Sequence, residues 1–94
     1  MIRNYKDLEV WKREINLVSL IYALSKNFPK EELFGLTNQM RRCAVSIGSN
    51  IAEGWMRQYK KEYIQFLYHS LGSCGKLETQ VIISSNLKYI DKKR

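Results

Sequence analysis

The chain has 94 residues and a mass of 11.1 kDa, the size of one small domain, which excludes a two-domain enzyme. It is 45% hydrophobic and 27% charged, with one proline and five glycines, so it reads as globular and helical rather than disordered or all-β. Sixteen Lys and Arg against nine Asp and Glu give +7 and a pI near 9.6, which suits an anionic partner; the alternative is a charge that only keeps the protein dispersed.

The first helix starts near Asp7 and runs to about Lys26. Leu8, Trp11, Ile15, Val18 and Tyr22 follow at spacings of three and four, and Ile21 and Leu24 widen the stripe. Lys12, Arg13, Glu14 and Asn16 fall on the opposite, solvated side. The near-apolar run Leu17 to Leu24 contains Ser19 and is too short to cross a bilayer. Asn27-Phe28-Pro29 ends the helix, because the residue before a proline is driven out of the α region, and Phe28 is expected to fold back onto the core. The segment Pro29 to Glu32 suits a short helical turn that Gly35 breaks.

Thr37 or Asn38 can cap a second helix to about Met56, with the apolar set Leu36, Met40, Cys43, Ala44, Ile47, Ile51 and Trp55. Asn50 and Gly54 continue that register. A polar Asn on a buried seam fixes register, and interior glycines, at about 1 kcal/mol each against alanine, point to close helix approach. Glu53 lies four residues before Arg57, the favourable order for an intrahelical ion pair. Asn50, Glu53 and Gly54 thus read as a structural polar seam; the other reading is a recognition site of Asn50, Glu53 and Arg57.

The third helix begins between Gln58 and Lys61 and continues to Asn86 or Leu87, roughly 40 Å of helix. Tyr63, Phe66, Ser70, Cys74, Leu77, Val81 and Ser84 form one seam; Ile64, Leu67, Leu71 and Ile82 form a second stripe. Small residues from Ser70 to Gly75 are expected to face the small residues of the second helix in antiparallel array. Two stripes on one helix require partners on two sides, either a fourth helix or another subunit. Tyr89-Ile90 reads as a turn into a further element, with Asp91 as its cap.

Three amphipathic helices with short connections make one domain, residues 1–94, an all-α antiparallel up-down bundle. Catalytic constellations are lacking: His69 is the single histidine, the carboxylates are scattered, and no phosphate loop or nucleophile elbow occurs. Cys43 and Cys74 lack metal-ligand spacing and are expected as reduced core thiols. No cofactor or metal is expected. The sequence runs from Met1 straight into charged residues without a signal peptide, so a cytoplasmic location is expected. The basic excess is uneven, with eight basic and six acidic residues in 1–56 but eight and three in 57–94. Arg57, Lys60 and Lys61 cluster with Tyr59 interleaved, and Arg41 and Arg42 lie further up the second helix. Cations that neutralise phosphates beside an aromatic face are the make-up of a single-strand binding surface.

Several segments together resemble one family: Asp7-Leu8-Glu9-Val10-Trp11, Phe28-Pro29-Lys30-Glu31-Glu32, Gln39-Met40-Arg41-Arg42, Ser46 to Gly54, and Leu77-Glu78-Thr79-Gln80. The chain is identified as similar to the bacterial four-helix bundle proteins of the 23S ribosomal RNA intervening-sequence type. The resemblance implies an up-down bundle whose fourth helix is missing here, and self-assembly into a homopentameric ring. It implies no enzymatic activity. A more distant likeness, to the accessory variability protein of diversity-generating retroelements, implies nucleic acid and a reverse transcriptase-like protein as partners. Two functions follow as expectations: a noncatalytic oligomer that binds RNA or another nucleic acid, or a protein-interaction scaffold with incidental basicity.

Overall fold

A computed structural model describes residues 3–90. The expected cap at Asp91 lies outside them. All regular structure among the described residues is helical: α1 (Glu9–Ser25), α2 (Leu36–Trp55) and α3 (Lys60–Asn86), with 3-10 turns at Tyr5–Asp7 and Lys30–Glu32. The longest dimension is 43 Å, set by α3.

α1 starts two residues later than the spacing predicts, because Asp7 is engaged in the turn before it. The Asp7 carboxylate accepts from the backbone N–H of Arg3 at 2.9 Å and of Asn4 at 3.3 Å, while Asn4 accepts from Lys6 N–H at 2.8 Å. This capping box holds the 3-10 turn and leaves Leu8 extended. Neither Thr37 nor Asn38 caps α2. Gly35 occupies the cap position, Thr37 is buried, and Glu32 Oε1 receives the Leu36 N–H at 3.3 Å. Glu32 Oε2 also accepts from Tyr89 Oη at 3.0 Å, and the Tyr89 ring lies 5.3 Å from that of Phe28, which is buried as expected. Tyr89 reaches them because α3 ends in a left-handed residue, Lys88 at φ 65, with Tyr89 N–H bonded back to Ser84 O at 2.9 Å.

α2 is the central element. It packs on α1 on one side and α3 on the other, whereas α1 and α3 have no backbone contact among the described residues. Met40, Ala44, Ile47 and Ile51 form the middle of the core with Ile21, Phe28 and Leu77. The antiparallel pairing of α2 with α3 is made through small groups. Ser70 Oγ donates to the Ile47 carbonyl at 2.8 Å, Ser46 and Ser73 hydroxyls meet at 3.0 Å, and Ser84 Oγ lies 3.4 Å from Met40 Sδ. A Cβ on Gly54 would stand 2.7 Å from Phe66 Cβ, so this crossing requires glycine. Gly72 and Gly75 have nothing within contact of such a Cβ and take no part in the approach.

Two further expectations, on burial, need correction. Glu14 is not on the solvated side of α1; it is 4% exposed and lies against Gly48 of α2, while Ile15, Tyr22 and Leu24 are exposed. The spacing already allowed this, since Glu14 is three residues after Trp11 and four before Val18. Cys74 is exposed rather than in the core, because it faces the side of α3 that looks toward α1 and carries no covering element; Cys43 is half-buried. That open side is a groove of about 730 Å³ lined by Leu17 and Ile21 of α1, Ile47 of α2, and Leu71, Leu77 and Val81 of α3.

Candidate nucleic-acid interface

The connection from α2 to α3 gathers four of the six candidate residues: Arg57, Tyr59, Lys60 and Lys61, all exposed. Arg57 N–H bonds to Gly54 O at 3.1 Å, which closes the turn, and Tyr59 then takes an extended conformation as the N-cap of α3. No side chain caps that end, so the first N–H groups of α3 and its dipole add positive potential beside Lys60 and Lys61. Glu62 in the same first turn meets the usual preference for acids there and offsets part of this potential, so Lys60, Lys61 and Glu62 together leave one net positive charge. Neither lysine has an ion-pair partner among the described residues. Tyr59 is 62% exposed, leaving a ring face open to stacking.

Arg57 is partly engaged. It pairs with Glu53 at 3.0 Å, as the spacing predicts, and its guanidinium lies 4.8 Å from the Phe66 ring centroid. Arg41 is engaged more fully. Its Nε donates to Ser25 Oγ at 2.9 Å, Nη2 reaches the Tyr22 carbonyl at 3.5 Å, and the guanidinium stands 4.6 Å over the Tyr22 ring. Arg41 therefore clasps α1 to α2. Arg42 is exposed, but about 22 Å of helix separates it from Arg57. The six candidates do not form one patch.

Asn50 is half-buried and donates to the Ser46 carbonyl at 2.9 Å and to Ser46 Oγ at 3.1 Å. Ser46 carries the contact across to Ser73, so Asn50 supports the helix pairing indirectly. Glu53 is exposed and Gly54 is buried.

Sequence reasoning missed a second polar feature. Along the outer side of the α2–α3 pair run two adjoining hollows, of about 1000 and 540 Å³. Gln39, Arg42 and Ser46 of α2 with Ser73, Lys76 and Gln80 of α3 line the first; Asn50, Gln65, Tyr68 and His69 extend the second. The signal was present as a polar stripe, Gln39-Arg42-Ser46-Asn50, beside the apolar stripe of α2.

Glu14 lies apart from this surface. Among the described residues neither carboxylate oxygen has a hydrogen-bond partner of good geometry; burial pushes its pKa up to about 7, and a weak interaction with the Gly48 backbone opposes part of the shift. The described residues contain no group of three or more His, Cys, Asp and Glu side chains able to hold a metal ion, and no helix long and apolar enough to cross a membrane.

No curated protein is significantly similar to the sequence. The family model for 23S rRNA-intervening sequence proteins matches residues 6–94. That match covers nearly the whole chain and agrees with the all-helical fold, and the chain belongs to the 23S rRNA-intervening sequence protein family.

Proposed function

We propose that the protein is a noncatalytic, cytoplasmic nucleic-acid-binding protein, associated with RNA, that works as a ring-shaped oligomer of five copies. The observation that carries the reading is the pair Lys60 and Lys61, without an ion pair among the described residues, beside the exposed Tyr59 at the end of α3 that no side chain caps, where Glu62 offsets one of the two charges. The net charge of +7 and the family's name support it. Basicity in one copy is modest, and repetition around a ring multiplies it through effective concentration. The uncovered apolar residues of α3, Ile64 at 44% exposure and Leu71 at 64%, support association.

The same apolar surface also favours a second reading, a protein-interaction scaffold whose basicity is incidental. Titration of single-stranded RNA, single-stranded DNA and duplex DNA at low and moderate salt separates the two. Phosphate binding weakens steeply with salt, and an apolar interface does not. The nucleic-acid reading expects Lys60→Glu with Lys61→Glu to weaken binding to all sequences alike. Absence of binding by the intact oligomer at low salt leaves the scaffold.

A further inference from the structure

We propose that a single-stranded nucleic acid lies lengthwise in the polar groove between α2 and α3, so that the strand follows the pair of helices beyond the basic turn at their end. This rests on the nucleic-acid reading and adds a path, a register of contacts and a preference for unpaired bases.

Three observations carry it. The first is charge. Arg42 and Lys76 flank the groove, and none of its lining residues is a carboxylate. In a chain with nine acidic residues, a groove this long without one is complementary to an anion. The second is the chemistry of the floor. Ser46 and Ser73 close it by their hydroxyl pair, and Asn50 and Gln80 add amides. Neutral donors and acceptors of this kind match the edges of unstacked bases, which a duplex holds inside its stack. The α2–α3 groove is mixed, polar and apolar, whereas the groove between α1 and α3 is mostly apolar and suits a partner helix better. The third is an aromatic platform. Tyr68 is 70% exposed on the groove wall, where a base can stack on it.

The length is consistent. From Gln65 to Gln80 the groove follows about 22 Å of α3, room for a short run of nucleotides. Arg42 and Lys76 lie toward one end, and Tyr68 and His69 toward the other. Phosphates would meet the first pair while bases reach the serine and amide floor.

The test measures affinity of a fluorescent single-stranded RNA, the same sequence as DNA, and the duplex, for the assembled protein. The variants are Arg42→Gln with Lys76→Gln, Tyr68→Ala, and Lys60→Gln with Lys61→Gln, all at exposed positions. Circular dichroism and sedimentation report fold and assembly. The expected result is that R42Q/K76Q weakens single-strand binding about tenfold and flattens its salt slope by about 1.4. Tyr68→Ala should cost about tenfold with the slope unchanged, and single strands of either sugar should bind more tightly than duplex. If the parent binds, K60Q/K61Q weakens binding, and both groove variants bind like the parent, the groove path is overturned and the basic turn stands alone. Preference for duplex also overturns it, as does a groove variant that changes the assembly mass without changing nucleic-acid affinity, which would make the groove a protein interface. A parent that binds no nucleic acid removes the function and the path together.

Discussion

Glu14 is where a single side chain most changes the protein's behaviour. Its carboxyl has no well-formed hydrogen bond among the described residues, and burial raises its pKa from 4.5 to about 7, so between these values the folded protein keeps a proton that the unfolded chain has released. Stability from this group is therefore complete below about pH 4.5 and is lost as pH rises to about 7, by about 3 kcal/mol at most. Urea unfolding at pH 5 and pH 8 should show the parent weaker at the higher pH. Glu14→Gln should be nearly equal at both and more stable than the parent at pH 8. Equal stability of the parent at the two pH values would contradict a buried, unpaired carboxyl. Residue spacing was compatible with this site, but residue type placed Glu14 on the opposite side of α1. Charge normally identifies a solvated position, and only the space above Gly48, invisible along the sequence, lets a carboxyl fit there.

The helix pairs show where periodicity was a sufficient guide and where it was not. α2 has neighbours on two sides, so its apolar set Met40, Ala44, Ile47 and Ile51 could be read directly, and Gly54 follows in the same register. Replacing Gly54 with Leu should destabilise by about 1–3 kcal/mol, because even the Cβ meets Phe66 Cβ, an atom close to the backbone of α3. Thermal melting checks this, and a melt like the parent's would mean that the crossing can widen freely. Gly72→Ala, at a position open to space, should be neutral or slightly stabilising through helix propensity. The caps were less legible than the stripes. Thr37 and Asn38 are good capping residues by type, but α2 already begins at Leu36, whose N–H is taken by Glu32 from the preceding turn, and sequence distance hides that reach. The candidate interface was legible at the α2–α3 turn, where Arg57, Tyr59, Lys60 and Lys61 are neighbours in sequence. It was not legible at Arg41, whose guanidinium is taken by Ser25 and Tyr22, nor at Lys76, which meets Arg42 only through the pairing of two helices.

At the scale of the molecule, an uncovered apolar groove and a basic outer surface are separated by the α2–α3 pair. The groove is lined by Leu17, Ile21, Ile47, Leu77 and Val81, and Leu71 stands at its α3 wall. Self-association should bury Leu71, so Leu71→Glu is expected to shift sedimentation from an oligomer toward smaller species while leaving the helical content unchanged. A parent that sediments as a monomer at micromolar concentration would count against association.

The central position of α2 also orders the ways in which this protein can come apart. α1 is held by one helix neighbour, chiefly through Trp11, Val18, Ile21 and the Arg41 clasp, while α2 and α3 hold each other along most of their length. α1 can therefore detach as a unit while the α2–α3 hairpin persists, a partial opening that costs less than global unfolding. Native-state hydrogen exchange should find the amides of α1 exchanging together, faster than those of Met40 to Ile51. Detachment exposes Glu14 to water and releases its proton, so the opening should become easier as pH rises toward 8 and should lose that dependence in Glu14→Gln. A shared exchange rate across all three helices would mean that the molecule opens only as a whole.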